Sequence, residues 1–266
     1  MIACMKLQIV GGGKMGEALL AGVIRSEWAQ PHEVCVVELN DDRLRALETS
    51  YPEVATSQTV LANVDGLIAV KPQYVAEAAG ALGRVGVARV LSVAAGITTA
   101  AIEQAAPAVR TVRCMPNTPA LVGAGASAIA SGSTATEDDL SWAESILSAV
   151  GLVVRVEESE LDAVTGLSGS GPAYVFRMAE ALMSAGRSQG LDPAVADALT
   201  RQTLLGAARL LAESGEDPAV LRQNVTSPGG TTAAGLAVLE NENFLELIQG
   251  VVDAAVKRSR ELGSGD

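Results

Sequence analysis

Lys6-Leu-Gln-Ile-Val-Gly-Gly-Gly-Lys-Met-Gly16 is the stretch whose reading decides the fold. A short apolar run, Lys6 to Val10, ends in glycines and passes into a stretch with helical period, Met15, Ala18, Leu19, Gly22 and Val23. The order is strand, glycine turn, helix. Gly11, Gly13 and Gly16 match G-x-G-x-x-G, in which the first glycine makes the tight turn, the second lets backbone approach a pyrophosphate, and the third lets the helix pack on the sheet. Such a match alone is weak, and its surroundings strengthen it: the run Glu33 to Glu38 reads as the next strand, about 20 residues on, and ends in an acidic residue as ribose binding requires. Glu38 would accept a ribose 2′-hydroxyl and favour NAD, whereas Asn40 and Arg43 could accommodate a 2′-phosphate and favour NADP. Glu38 as a merely solvated strand end is the third reading, and the sequence leaves the three open.

Outward from this unit the alternation continues. Helical patterns cover Arg43 to Tyr51 and Gln73 to Leu82, and strand patterns cover Gly66 to Val70, Arg89 to Val93 and Thr111 to Met115. Repeated βαβ units predict a doubly wound, mainly parallel α/β sheet of the Rossmann type. The turns Val70-Lys-Pro72, Ala94-Ala-Gly96 and Met115-Pro-Asn117 follow strands and should edge the cofactor cleft, because ligands sit outside the carboxyl ends of strands in open sheets. Thr136, followed by Glu137, Asp138 and Asp139, starts a helix with an N-cap and an acidic first turn. A strand at Leu152 to Val156 closes the first domain, residues 1–156.

From Glu157 onward no strand pattern remains, so residues 157–266 are expected to form an all-α domain. Leu161 to Gly190 is helical in period but interrupted by Gly166, Gly169 and Gly171, with a break near Pro172. Asp192-Pro193 is an N-cap followed by proline and opens a helix through Leu211, and Asp217-Pro218 repeats the device before Asn224. A last helix runs from Phe244 to Leu262. So much Ala and Leu would leave apolar faces bare, which predicts dimerisation through this domain.

Between two of these helices lies Val225-Thr-Ser-Pro-Gly-Gly-Thr-Thr232. Pro228 fixes one φ and removes its own N–H, while Gly229 and Gly230 permit conformations that turn successive amides toward one point. A helix starting near Thr232 would add its free N-terminal amides, making a carboxylate pocket. The plain alternative is that Thr231 and Thr232 are ordinary N-caps.

Bulk properties exclude several classes. The chain has 266 residues, 48% of them apolar, with 27 glycines and a net charge of −12. That charge, with no local Lys/Arg cluster, argues against nucleic acid and anionic membrane surfaces as partners. The first residues run into a strand pattern without a basic leader, and no apolar stretch nears the length of a membrane span, so a cytoplasmic location is expected. Cys4, Cys35 and Cys114 lack metal-ligand spacing and read as buried small hydrophobes. No metal is expected. His32 is the only histidine and reads as a surface residue, so any enzyme here works without imidazole acid–base chemistry.

Gly11-x-Gly13-x-Met15-Gly16, Val70-Lys-Pro72, Ala94-Ala-Gly-Ile97, Arg113-Cys-Met-Pro-Asn-Thr-Pro119, Leu167-Ser-Gly-Ser-Gly-Pro-Ala-Tyr174 and Val225-Thr-Ser-Pro-Gly-Gly-Thr-Thr232 occur in that order. Together they resemble the pyrroline-5-carboxylate reductase family along essentially the whole chain. The resemblance implies NADPH- or NADH-dependent reduction of 1-pyrroline-5-carboxylate to proline, an interlocked dimer formed by the helical domain, and often a ring of five dimers. It also implies that Val10, Gly11, Gly12, Gly13, Lys14, Met15, Val70, Lys71, Pro72, Ala94 and Ala95 hold the cofactor and that Asn224 touches it. Glu38 at the second strand's end departs from the small polar and basic residues expected of NADP-preferring members. Glu158, Gly229, Gly230, Thr231 and Thr232 would bind substrate, with Ser227 in the same loop.

Reducing a cyclic imine needs hydride at carbon and a protonated nitrogen; an imine that binds already protonated needs no strong protein acid. Thr232 is the candidate for hydrogen-bonding the imine nitrogen, with the 229–232 amides gripping the carboxylate, and Ser227 is the second catalytic candidate. Lys14 and Lys71 would face phosphate or solvent. A β-hydroxyacid dehydrogenase would need a proton-transferring lysine in the helical part, where Lys257 is the only lysine. A non-catalytic dinucleotide sensor would have no need of a carboxylate pocket.

Overall fold

The computed structural model describes residues 5–264. They form two compact units: the described residues up to Ser170 together with those from Ala254 on, and Gly171–Asp253.

The first unit is built around β1 (Leu7–Val10), all four residues of which are buried. Gln8 is tolerated there because its amide is fully used: Nε2 donates to the Leu61 and Val64 carbonyls at 2.9 and 2.7 Å, and Oε1 accepts from Leu61 N–H at 2.8 Å. After the glycine turn, α1 (Lys14–Arg25) buries Ala18, Leu19, Leu20 and Val23. Next come β2 (Val34–Val37), α2 (Asp41–Ser50), β3 (Ala55–Ser57), β4 (Gly66–Ile68), α3 (Val75–Arg84), β5 (Arg89–Ser92), α4 (Thr99–Ala105) and β6 (Arg110–Met115). β7 (Gly125–Ser131), α5 (Glu137–Leu147) and β8 (Gly151–Arg155) complete one eight-stranded sheet in the order β3-β2-β1-β4-β5-β6-β7-β8.

The sheet is mainly parallel, as expected. The departure is β7, antiparallel to β6, with β8 parallel to β7. Neither β7 nor the short β3 and α4 are anticipated by the sequence patterns. β7 reads Gly-Ala-Ser-Ala-Ile-Ala-Ser, with Ile129 its only β-branched residue; pairing on both sides and burial hold it, not propensity.

β1 pairs with both β2 and β4, Val10 standing opposite Val37 on one side and Ile68 on the other. The three carboxyl ends are therefore level, and Gly11, Glu38 and Ala69 emerge side by side. The strand order reverses direction at β1, which makes this the topological switch point where open α/β sheets bind ligands.

At the start of α5, Asp139 ties helix to sheet. Its Oδ2 accepts from Arg110 Nε at 2.8 Å and from Thr136 N–H and Oγ1 at 2.9 and 2.8 Å, while Arg89 Nη1 lies 3.7 Å from Oδ1. Burial pushes this carboxyl up, but the bonds from Arg110 and Thr136 outweigh it and hold it below the usual range. Thr136 and Asp139 form the reciprocal cap that the acidic first turn suggests. Cys35 and Cys114 are buried, and burial pushes their thiols up to about 11 and about 12, so they act as small core hydrophobes. Cys4 lies outside the described residues. His32 is exposed.

After α6 (Leu161–Val164) the interrupted stretch takes the form of a π turn over Thr165–Gly169, where Ser170 N–H donates to the Thr165 carbonyl at 2.8 Å. Pro172 then falls in the first turn of α7 (Gly171–Ser188), where a missing N–H is harmless. In the second unit, Asp192 and Asp217 cap α8 (Pro193–Ser214) and α9 (Pro218–Asn224), accepting from Ala194 and Ala219 N–H at 2.8 and 2.7 Å. α8 runs beyond the expected end at Leu211. α10 (Thr231–Asn241) and α11 (Phe244–Ser264) follow.

α11 continues through Gly263, where a stop was expected. The residue lies against the Gly96 carbonyl, close enough that a Cβ would sit 3.3 Å from that oxygen, a contact inside the first unit, to which α11 belongs from Ala254 on. Ser259 Oγ there donates to Asp162 Oδ1 at 2.6 Å. Within the second unit little is buried: α7, α9 and α10 bury no residue, and α8 buries only Ala196 and Thr200. Phe176 is 62% exposed and Leu245 81%. Among the described residues no helix is long and apolar enough to cross a membrane.

Candidate active site

A cleft of about 770 Å³ opens at the switch point, lined by Val10, Gly11, Gly13, Glu38, Val70 and Lys71 among others. Each glycine of the turn has a distinct physical role. Gly11 has φ +106°, and a Cβ there would meet the Ala69 carbonyl carbon at 2.8 Å. At Gly16 a Cβ would lie 2.0 Å from the Gly11 carbonyl oxygen, so only glycine lets α1 seat on the turn. Gly13 differs: it has extended backbone at the N-cap of α1, and a Cβ there would have nothing within 4 Å. Packing therefore does not explain this glycine, whereas the approach of a ligand to the free N-terminal amides of α1 does.

Glu38 closes one wall. Its Oε2 accepts from Gly12 N–H at 2.9 Å, and its Oε1 from Leu39 and Asn40 N–H at 2.8 and 3.0 Å. A carboxylate has about four acceptor positions, so one on Oε2 remains for a ribose hydroxyl. The two groups that could have met a 2′-phosphate are engaged elsewhere: the Asn40 side chain caps α2 by accepting from Arg43 N–H at 2.9 Å, and Arg43 donates to the Gly12 carbonyl and pairs with Glu17. The residues present thus fit a pyridine dinucleotide: an open cradle at a helix N-terminus with an acceptor beside it.

Of the other residues anticipated for the cofactor, Gly12 is buried with its N–H on Glu38, Lys14 is exposed, and Met15 packs against the core. Pro72 opens a short 3-10 turn, Pro72–Tyr74, beside the cleft. Ala94 is buried at the end of β5 and Ala95 is exposed; the cleft is not lined by either. The Met115-Pro-Asn117 turn likewise lies outside it, and Asn117 instead bridges Ala126 N–H and the Ser168 carbonyl at 2.9 and 3.1 Å. Gln58, Thr59, Val60 and Tyr74 line the cleft without having been anticipated. Locating β3 would have pointed to Gln58–Val60, since they follow its carboxyl end.

Glu158 lies in the same unit and is held by three bonds. Thr99 N–H and Arg113 Nη1 donate to Oε1 at 2.7 and 3.0 Å, and Thr99 Oγ1 donates to Oε2 at 2.6 Å. Burial pushes this carboxyl up, but the Thr99 bonds and the Arg113 guanidinium outweigh that and hold it below the ordinary glutamate range.

Asn224, Ser227, Gly229, Gly230, Thr231 and Thr232 belong to the second unit. Gly229 has φ +69° and Gly230 N–H donates to the Ser227 carbonyl at 3.0 Å, making a tight turn into α10. The N-cap of α10 is Gly230, which corrects the reading of Thr231 and Thr232 as caps. Both threonines are exposed in the first turn, and neither hydroxyl serves to cap the helix.

A chain 46% identical to this one, covering 97% of it and 98% of the relative, is the pyrroline-5-carboxylate reductase of a Synechocystis species. The chain belongs to the pyrroline-5-carboxylate reductase family. A solved reductase of that name from Coxiella burnetii superposes with a TM-score of 0.90 at 38% identity, covering 97% of this chain and 98% of that one. The Plasmodium falciparum pyrroline carboxylate reductase with NADP bound gives a TM-score of 0.83 at 26% identity, covering 99% and 100%. Residues 158–262 match the family model described as pyrroline-5-carboxylate reductase dimerisation, and residues 6–96 match one described as NADP oxidoreductase, coenzyme F420-dependent. The latter span runs from β1 past the end of β5 and includes the glycine turn and Glu38 at the cleft.

Proposed function

We propose that this chain reduces 1-pyrroline-5-carboxylate to proline with NADH or NADPH, as a cytoplasmic enzyme. The observation that carries the reading is the turn at Gly13: a glycine with nothing to pack against, at a helix N-terminus, in a chain that matches reductases over nearly its full length. Gly11, Gly12, Gly13, Lys14 and Met15 would hold the pyrophosphate, Glu38 the ribose, and Val10, Val70, Lys71, Pro72, Ala94, Ala95 and Asn224 the remainder of the cofactor. When bound, the reduced nicotinamide supplies hydride.

The hydride goes to the imine carbon, and the C=N π pair moves onto a nitrogen that enters protonated. No strong acid is then asked of the protein, which suits a chain whose one histidine is exposed at the surface. Thr232 hydrogen-bonds the ring nitrogen, the amides of Gly229, Thr231 and Thr232 with the Ser227 hydroxyl take the carboxylate, Gly230 shapes the turn that presents them, and Glu158 complements the cationic ring. The chain's contribution is mainly orientation of the ring. The functional division falls after Val156, with 157–266 serving substrate binding and dimerisation; the bare helical faces around Phe176 and Leu245 support self-association, and five such dimers would close a decamer.

The test is NADH and NADPH absorbance with and without 1-pyrroline-5-carboxylate. Substrate-dependent oxidation is expected, and its absence with both cofactors would refute the assignment.

A further inference from the structure

A carboxylate close to a substrate that itself carries a carboxylate raises a difficulty: it attracts the cationic ring nitrogen but repels the acid group. The surroundings of Glu158 resolve it. Arg113, on the buried strand β6 and only 6% exposed, donates to Oε1 at 3.0 Å, so the local charge sums to zero. Thr99, 5% exposed at the start of α4, grips both oxygens through its N–H and hydroxyl. Three of about four acceptor positions are filled, and the one left is on Oε2. Long acidic side chains at domain edges ordinarily sample several rotamers, at a conformational cost when a ligand fixes them; here that ordering is built in.

We propose that Thr99 and Arg113 are positioning residues for substrate binding: Thr99 holds the open Oε2 of Glu158 toward the cationic ring, and Arg113 cancels the charge that would repel the substrate carboxylate. This rests on the reading of Glu158 as a substrate-facing group. Thr99 follows the Ala94-Ala95 turn by a few residues, so the same segment that ends β5 also fixes the carboxylate. The two partners have separable effects. Loss of Thr99's hydroxyl loosens the aim without changing charge; loss of the Arg113 guanidinium changes charge and exposes any anion to an unscreened Glu158.

The experiment compares Thr99→Val, Arg113→Lys, Arg113→Met and Glu158→Gln in the full chain. The readouts are kcat, KM for 1-pyrroline-5-carboxylate and for NADH, and inhibition by proline and by cyclopentanecarboxylate, which has the acid group but no ring nitrogen. Thr99→Val, nearly isosteric, should raise the substrate KM about tenfold, the size of one lost hydrogen bond to a charged group. It should weaken proline inhibition similarly and leave cyclopentanecarboxylate inhibition, kcat and the NADH KM within about twofold. Arg113→Met should weaken inhibition by both acids, and Arg113→Lys should restore part of it. Thermal unfolding of each variant checks that it is folded, and Thr99→Val carries the test if Arg113→Met is not. If Glu158→Gln raises the substrate KM while Thr99→Val changes nothing, the positioning role is overturned. If Glu158→Gln itself leaves the substrate KM and proline inhibition unchanged, the reading beneath it fails too.

Discussion

Replacing Gly13 and Gly16 separately with alanine should divide binding from folding. A Cβ on Gly16 would lie 2.0 Å from the Gly11 carbonyl oxygen and 3.4 Å from Ile9 Cγ2. The nearer obstacle is backbone, so α1 must lift off the turn; overpacking of this kind costs about 1–3 kcal/mol, and a rigid neighbour puts Gly16→Ala at about 3 kcal/mol. Gly13→Ala meets nothing within 4 Å, and φ −66° with ψ −175° suits any residue. Alanine is a poorer N-cap than glycine by roughly 0.5–1 kcal/mol. Restricting the unfolded chain returns about 0.4–1 kcal/mol, so folding stability should hold within about 1 kcal/mol. The new methyl fills the space that a pyrophosphate would enter, and NADH affinity should fall at least about tenfold, or about 1.4 kcal/mol. Urea unfolding followed by circular dichroism and titration of NADH fluorescence measure the two effects independently. A Gly13→Ala protein that binds NADH like the parent, or a Gly16→Ala protein with an unchanged urea midpoint, would refute the division of roles.

Glu38, with one acceptor position left and Arg43 paired with Glu17, should give appreciable turnover with NADH; Glu38→Ser should shift kcat/KM toward NADPH at least about tenfold by removing a like charge from the 2′-phosphate, and a parent enzyme strongly selective for NADPH would contradict this. Thr232→Ala should lower kcat by about ten- to a hundredfold with the NADH dissociation constant near the parent's; unchanged turnover and substrate KM would remove Thr232 from the mechanism. Asp139 and Glu158 are both held below their ordinary values, so their stabilising contribution is present above about pH 4, near the unfolded values, and disappears as pH falls through the lower folded ones. Asp139→Asn should therefore cost about 3 kcal/mol at pH 7 by leaving Arg110 without its carboxylate partner, while Arg89 keeps Asp65 at 2.7 Å, and should flatten the acid limb of the unfolding midpoint against pH; an identical limb in the variant would show that Asp139 does not contribute to it.

The parts of this fold that can be read from the sequence are those whose cause is local. The strand, turn and helix around Gly11–Gly16, the Asp192 and Asp217 caps and the reciprocal Thr136–Asp139 cap each depend on residues within a few positions of one another, and each is found where the pattern puts it. β7 is not legible, because six of its seven residues are small and Ile129 alone carries a strand preference, so its position is decided by β6 and β8. The same rule governs the candidate site. Gly13 shows in the sequence, but that its Cβ would meet open space is a property of the folded turn. Glu158 can be singled out by resemblance, yet what makes it chemically usable comes from Arg113 and Thr99, 45 and 59 residues earlier, brought to it only once β5, β6 and α4 are in place. The loop before α10 shows the converse: its glycines and threonines are plain in the sequence, and the local rule favours a threonine cap, but Gly230 takes the N-cap. That displacement places both threonine hydroxyls in the first helical turn without a capping duty, which is compatible with the substrate contact proposed for Thr232.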